Sequence, residues 1–387
     1  MHHGSHHAYR ILIVSRRVAW IPLALLLLPA GAAALEPANE GERLMADFGL
    51  REATEPVSKL PGWRVPKKIV VDSDEPGLID ALRTAAPGVK LVAAASAADM
   101  AVAAAGADAV IGRTVFICDE RVLAAGGNLR WLQTTSSGVD VCAGQSKTIM
   151  QRRILVTNMR AIAAPVIAEH VIAFTMALSR GLYAWIPQRE QHLWADDSSK
   201  FPMIVIQGKT MLVVGLGGIG SEVAKRAHAL GMRVIATRAS RQEKPDYVDY
   251  VGTSDELKTL ISQADVVVNA MPLTAETKGL FDAAMFARMK RSAYFISVGR
   301  GMSVVTADLT EALQKKIIAG AGLDVVDPEP LPPDNLLWQQ PNLILTPHVS
   351  GQSDLGAQTE LRVLRENLRR YVAGEKMLSV VDVGRGY

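Results

Sequence analysis

Met211-Leu212-Val213-Val214-Gly215-Leu216-Gly217-Gly218-Ile219-Gly220 is an apolar run that ends in a glycine-rich turn, and the amphipathic stretch Ser221 to Leu230 follows it. A short apolar run closed by glycine fits a strand buried on both faces, and the stretch after it has helical spacing. GxGxxG at such a junction suits the pyrophosphate of a dinucleotide. Gly215 permits the tight turn, Gly217 lets the backbone approach the phosphates, and Gly220 lets the helix close on the strand. The helix N-terminus, entered through Gly218 and Ile219, stabilises negative charge. The residue about 20 positions further on decides which dinucleotide fits, because a carboxylate there would bind the ribose diol. This chain has Arg238, then Ser240 and Arg241, after the next apolar run, Arg233 to Ala236. Two guanidiniums and a hydroxyl suit a 2′-phosphate, so the segment predicts NADP, with NAD as the alternative cofactor.

Outward from this segment the same alternation recurs on both sides. Downstream, Val266-Val267-Val268, Tyr294-Phe295-Ile296 and Leu343-Ile344-Leu345 read as strands. Upstream, Ile69-Val70-Val71, Lys90 to Ala94, Ala109-Val110-Ile111, Trp131-Leu132-Gln133 and Ile154-Leu155-Val156 do so, with helical stretches at Leu78 to Ala86 and Asp99 to Ala105. Strands alternating with helices predict parallel sheets covered on both faces. The expected fold is α/β with two Rossmann-like lobes, each a doubly wound parallel sheet, and the nucleotide domain inserted into a discontinuous substrate domain. The boundaries are 66–162 and 348–387 for the substrate domain and 163–347 for the nucleotide domain. A long apolar helix from about Pro165 to Tyr183 joins them, and a last helix near Thr359 to Ala373 returns to the first lobe.

The 387 residues are 49% hydrophobic and 21% charged, enough for two domains with cores. Three of the basic residues, Arg10, Arg16 and Arg17, precede Leu35, and the rest of the chain carries equal numbers of acidic and basic side chains. No global basic field recommends nucleic acid. Cys118 and Cys142 are too few for a disulfide scaffold or a CxxC zinc site, and no metal is expected. Residues 1–34 read as a signal peptide: Arg16-Arg17, the apolar run Val18 to Leu28, and an A-x-A site ending at Ala34. That run is too short to span a bilayer, which takes roughly twenty residues, so no membrane span remains after cleavage. Export, with the periplasm as destination, follows, and Ser15-Arg16-Arg17 suggests the twin-Arg route. A true start near Met45 would instead leave the protein cytoplasmic. Residues 35–65 are polar and proline-punctuated, and are expected to form a surface extension.

Outside the leader, which holds His2, His3, His6 and His7, four histidines remain. His228 falls on the helix after the fingerprint, at the surface. His170 falls on the long apolar helix and reads as a structural histidine, and His192 has no evident partner. His348 differs, because Leu345-Thr346-Pro347-His348 puts it just past a parallel strand, where ligands of open α/β sheets bind. Arg300 follows the strand Tyr294 to Ile296 between two glycines, Asp324 follows Ala319 to Leu323, and Glu329 lies in the proline-rich loop beyond. Four such residues at successive strand ends converge on one crevice.

These pieces, with Ser136-Ser137-Gly138-Val139-Asp140, Met271-Pro272-Leu273-Thr274, Val298-Gly299-Arg300-Gly301 and Gly322-Leu323-Asp324-Val325, resemble the D-2-hydroxyacid dehydrogenase family, glyoxylate and hydroxypyruvate reductases in particular. The resemblance runs from about Val65 to the C-terminus. It implies Arg300, Glu329 and His348 as the catalytic triplet and Asp324 as the residue that holds the nicotinamide amide. Met271, Pro272, Val298, Gly299 and Gly351 would lie along the cofactor, and the N–H groups of Ser137 and Gly138, with Arg300, would bind the substrate carboxylate. It also implies a homodimer through the nucleotide lobe, with the loop Leu182 to Lys200 as a contact.

The chemistry agrees with the residue types. Reduction of a 2-oxo acid to its 2-hydroxy acid builds negative charge on the carbonyl oxygen, which His348 can protonate, and a carboxylate from Glu329 favours the charged ring. Arg300 can grip the carboxylate and polarise the carbonyl. Met159-Arg160-Ala161-Ile162 lacks the Pro-Gly-x-Asn run of phosphoglycerate-type relatives, and no regulatory domain follows Tyr387, which disfavours that activity. Ser350-Gly351 replaces a common Gly-Ala. Arg113, after the strand Ala109 to Ile111, is either a substrate contact or a surface arginine. A non-catalytic, dinucleotide-sensing protein on the same fold is the competing reading, and a dehydrogenase of unusual substrates such as phosphonates is a third.

Overall fold

The computed structural model describes residues 40–73, 76–194, 203–239 and 243–384. The leader, and with it the expected signal peptide, lies outside these residues, as do Ser240 and Arg241. Among the described residues twelve strands form two sheets, all parallel. The first contains β1 (Lys68–Asp72), β2 (Lys90–Ala94), β3 (Ala109–Gly112), β4 (Trp131–Thr134) and β5 (Leu155–Thr157), in the order β2-β1-β3-β4-β5. The second contains β6 (Thr210–Val214), β7 (Arg233–Arg238), β8 (Tyr250–Thr253), β9 (Val266–Asn269), β10 (Tyr294–Ser297), β11 (Gly320–Leu323) and β12 (Leu343–Leu345). Their order is β12-β11-β10-β9-β6-β7-β8. Both are doubly wound orders, and each reverses direction once, between β1 and β3 and between β6 and β9.

Alternate residues of each strand enter different cores, as the two-residue period of a strand requires. In the second sheet Leu212, Val214, Val267, Phe295 and Ala321 pack on one face. Met211, Val213, Val266, Val268 and Ile296 pack on the other, against Ile167, Val171, Phe174 and Leu178 of the helix Ala164–Ser179. The first sheet divides likewise, with Val70, Val110, Leu132 and Val156 on one side and Ile69, Val71, Ile111 and Trp131 on the other. Burial on both faces explains why these strands read as unbroken apolar runs.

Three local expectations need correction. The long helix stops at Ser179, because Gly181 takes the left-handed conformation (φ 65°) and a new helix, Leu182–Glu190, begins there. Leu182 to Glu190 is therefore helix and not loop. Residues 40–65 are more than a surface extension: Leu44 of the helix Glu40–Phe48, with Leu50 and Val57, is buried in the first lobe. These residues meet the C-terminal helix Gly356–Ala373, whose Val363, Leu364, Leu368 and Tyr371 complete the same core. Ion pairs from Arg362 to Glu40 (2.7 Å) and from Arg370 to Glu52 (2.6 Å) fasten the contact. The edge strand β8 carried no sequence signal, being four residues after a polar stretch.

Candidate active site

The site is assembled from the carboxyl ends of strands in both sheets. On the nucleotide side, β6 ends in the glycine turn, with Gly215 at φ 97°. A Cβ on Gly220 would sit 2.2 Å from the Gly215 carbonyl oxygen, so the close approach of helix to turn requires glycine. At Gly217 the space is open, and an added Cβ would meet only Arg160 Nη2, at 3.6 Å. An open backbone cradle at the start of the helix Gly218–Ala229 is the geometry a pyrophosphate needs, and these residues fit the dinucleotide that the fingerprint implies. Arg238 is the last residue of β7, and its Nε donates to the Leu216 carbonyl at 2.9 Å, which places the guanidinium beside the glycine turn.

Asp324 follows β11 and is 2% exposed. It accepts from Thr346 Oγ1 (2.6 Å), Val349 N (2.9 Å) and Ser350 N (3.0 Å). Burial disfavours its charge, yet these donors, Ser350 and Thr346 foremost, hold the carboxyl below its ordinary range. His170 backs this network: its Nε2 lies 3.0 Å from Thr346 Oγ1, and its ring packs edge-on against Phe174. The expected structural histidine thus supports the residue that supports Asp324. Met271 lines the glycine turn, with its Cγ 3.0 Å from where a Gly215 Cβ would be, and its carbonyl oxygen would stand 2.6 Å from a Cβ on Gly299. Pro272 continues that loop, Val298 is buried after β10, and Gly351 faces Ala163 and Ile167 across the lobe junction.

His348 comes next to Asp324 through its own backbone, its N–H donating to the Asp324 carbonyl at 2.9 Å. It adopts φ 54°, uncommon for a residue with a Cβ, and this conformation turns the half-exposed ring out of the loop. Its Nδ1 is 3.0 Å from Glu329 Oε2, while Glu329 Oε1 accepts from Val326 N at 3.0 Å. The carboxylate therefore fixes the ring by one nitrogen and leaves Nε2 unengaged among the described residues. Arg300, after β10, crosses to the other lobe: Nε and Nη2 donate to Asp140 Oδ1 (3.1 and 3.0 Å), and Nη1 donates to its neighbour's carbonyl at Gly299 (2.8 Å). A Cβ on Gly138 would lie 1.7 Å from Arg300 Nη2, so only glycine admits the guanidinium there.

On the substrate side, the loop after β4 is fastened by Asn158 Nδ2 donating to the Ser137 carbonyl (2.7 Å) and by Ser137 Oγ donating to the Met159 carbonyl (3.1 Å). Among the described residues no protein acceptor takes the backbone N–H of Ser137 or Gly138. Two adjacent N–H groups beside a guanidinium form an anion site. Arg113 forms a bidentate pair with Asp72 at the end of β1 (2.7 and 2.9 Å) and lies over the Phe116 ring. His228 is exposed on its helix, and His192 is exposed with φ 54°.

Sequence reasoning passed over three features. Asp140 closes the Ser136-Ser137-Gly138-Val139-Asp140 run, and nothing in that run points to a role for its carboxylate. Arg160 places its guanidinium beside Gly217, and the signal for it in the sequence is a positive charge at the lobe junction. Cys118 and Cys142 form a disulfide, Cα–Cα 5.2 Å, that ties the end of the helix Thr114–Ile117 to the 3-10 turn Asp140–Gln145. Spacing alone could not reveal that pairing. Among the described residues no cluster of His, Cys, Asp or Glu is arranged to hold a metal ion, and no helix is long and apolar enough to cross a membrane.

Residues 172–350 match the model of the D-isomer specific 2-hydroxyacid dehydrogenase NAD binding domain. The chain is 34% identical over 254 residues to glycerate dehydrogenase of Methylorubrum extorquens, covering 64% of this chain and 77% of that one. Its fold is similar to a D-isomer specific 2-hydroxyacid dehydrogenase family protein of Aeromonas salmonicida, with TM-score 0.70, 31% identity and coverage of 82% of this chain and 99% of the other. It is also similar to an NADPH-dependent glyoxylate/hydroxypyruvate reductase of Sinorhizobium meliloti solved with NADP and sulfate, with TM-score 0.69, 26% identity and coverage of 83% and 100%.

Proposed function

The chain belongs to the D-isomer specific 2-hydroxyacid dehydrogenase family, and from that premise we propose that it is an NADPH-dependent reductase of small 2-oxo acids yielding the D-2-hydroxy acid. The observations that carry this reading are Arg300 lying against Gly138 beside the unpaired N–H groups of Ser137 and Gly138, and the His348–Glu329 pair beyond the carboxyl ends of neighbouring strands of the sheet that carries Arg300. The bound reduced nicotinamide would supply the hydride to the keto carbon. Arg300 and the two N–H groups hold the substrate carboxylate, so the keto group faces the cleft in one orientation. As negative charge grows on the carbonyl oxygen, His348 Nε2 gives it a proton, and Glu329 keeps the ring aimed and balances its charge. An intact acid and an anion site favour turnover over a dinucleotide-sensing role, which needs neither.

Arg238 beside the glycine turn supports NADPH over NADH, because a guanidinium there can bind a 2′-phosphate by charge-assisted hydrogen bonds. Asp324 is the acceptor for the nicotinamide amide. For assembly, the helix Leu182–Glu190 has no buried residue and exposes Leu182 and Ile186, which supports a homodimer through the nucleotide lobe. For location, the buried Cys118–Cys142 disulfide supports export to an oxidising compartment, in line with the leader. The test is oxidation of NADPH and NADH by purified protein with glyoxylate, hydroxypyruvate, pyruvate and bulkier 2-oxo acids. NADPH-preferring turnover is expected, and no turnover with any of them overturns the reading. Sedimentation of the protein and fractionation of the producing cells test the dimer and the export.

A further inference from the structure

We propose that Asp140 is a positioning residue for the reaction: it holds Arg300 across the cleft in the orientation that binds a substrate carboxylate. The inference rests on the 2-oxo acid reading above and assigns to that site a residue from the opposite lobe. Arg300 reaches the first lobe at the end of a strand of the second, with no helix or sheet of its own to fix its side chain. Asp140 Oδ1 accepts from both Nε and Nη2, at 3.1 and 3.0 Å, and the Gly299 carbonyl accepts from Nη1 at 2.8 Å. A guanidinium has five N–H donors, and these bonds use three, leaving one on each terminal nitrogen for a ligand. Nη2 lies against Gly138, whose missing side chain makes room for it and whose own N–H has no protein acceptor.

Asp140 is itself held firmly. It opens the 3-10 turn Asp140–Gln145, two residues before Cys142, and the disulfide from Cys142 to Cys118 anchors that turn to the helix Thr114–Ile117. Thr114 Oγ1, at the start of the same helix, is 2.6 Å from Thr134 Oγ1 and 3.3 Å from the Gly138 carbonyl. The anion-binding N–H groups and the carboxylate that aims Arg300 are thus parts of one fastened loop. When the lobes meet through this pair, guanidinium and N–H groups come together as a single site.

The experiment compares wild type with Asp140→Ala, Asp140→Asn, Arg300→Ala and the double variant Asp140→Ala/Arg300→Ala. It measures kcat and KM for the best 2-oxo acid, and NADPH affinity by nucleotide fluorescence. Asp140→Ala should raise KM about tenfold or more with a smaller change in kcat, and Asp140→Asn, which keeps an acceptor, should fall between it and wild type. NADPH affinity should stay within about twofold. In the Arg300→Ala background the Asp140→Ala change should have almost no further effect, since a residue acting through another loses its effect with it. A KM unchanged in Asp140→Ala, a KM that falls because Asp140 competes with substrate, or full additivity in the double variant overturns the proposal alone. A wild-type chain that binds NADPH but turns over no 2-oxo acid overturns the reading beneath it, and this proposal with it.

Discussion

The two lobes place their functional groups by different means. In the second, Arg238, Arg300, Asp324 and His348 each stand at or just beyond the end of a parallel strand, and the sheet order makes neighbours of the three strands that lead to Arg300, Asp324 and His348. In the first, Ser137, Gly138 and Asp140 lie on a loop held by side-chain bonds from Asn158 and Thr114 and by the Cys118–Cys142 disulfide. One lobe has its candidate groups fixed by the sheet itself, whereas the other fixes the proposed anion site by fastening a loop. Changes in the second lobe should therefore alter chemistry and cofactor choice with little loss of stability, and changes in the first should alter stability and substrate affinity.

The largest effect tests the second lobe. His348 sits at positive φ, a conformation that asparagine tolerates, so His348→Asn removes the acid while keeping the backbone. Loss of about 10³-fold in kcat is expected, within the range for a general acid, with NADPH affinity and melting temperature close to wild type. A comparable loss of stability would break the division between the lobes.

Next comes the first lobe. The disulfide closes a loop with sequence separation 24, and replacing both cysteines by serine should cost about 3 kcal/mol of stability by the chain-entropy account. Denaturant unfolding measures this, and KM for the 2-oxo acid should rise while kcat changes less. An unchanged KM would show that the loop is held well enough by its hydrogen bonds. After that, Arg238→Ala should weaken NADPH by about 10- to 100-fold, the size of one or two charge-assisted hydrogen bonds, and leave NADH nearly unaffected. Equal weakening of both would mean that Arg238 braces the glycine turn through Leu216 instead of binding phosphate.

The same contrast explains what could be read in the sequence. A doubly wound sheet prints itself as apolar runs at regular intervals, so nearly every strand and the residues just past the strand ends were legible, down to His348 beside Glu329. Asp324 was equally visible, because Gly322-Leu323 precedes it as part of a strand. The role of Asp140 was not, since its partner Arg300 is 160 positions away and nothing in local spacing joins them. The disulfide was hidden for the same reason. The break after Ser179 was in principle visible at Gly181, but the apolar residues around it masked the glycine. Residues 40–65 looked like an extension because their three buried hydrophobic side chains, Leu44, Leu50 and Val57, are spread too thinly to show a period.

The smallest effect concerns the C-terminal helix, which belongs to the first lobe by packing. Glu360 stands at its start among residues that turn toward the core, and burial pushes its carboxyl up to about 7. Between the ordinary carboxylate value and 7 the folded chain binds more protons at this position than the unfolded chain does. Stability from this group therefore falls as pH rises through that window, opposite to the usual behaviour of a paired carboxylate. Glu360→Gln removes the cost. After allowance for the partial exposure of the side chain, the variant should be more stable than wild type by on the order of 1–2 kcal/mol at pH about 8 and indistinguishable at pH about 5. Urea unfolding at the two pH values measures the difference. A gain that is the same at both pH values would mean that the helix responds to the lost polar surface and not to the charge.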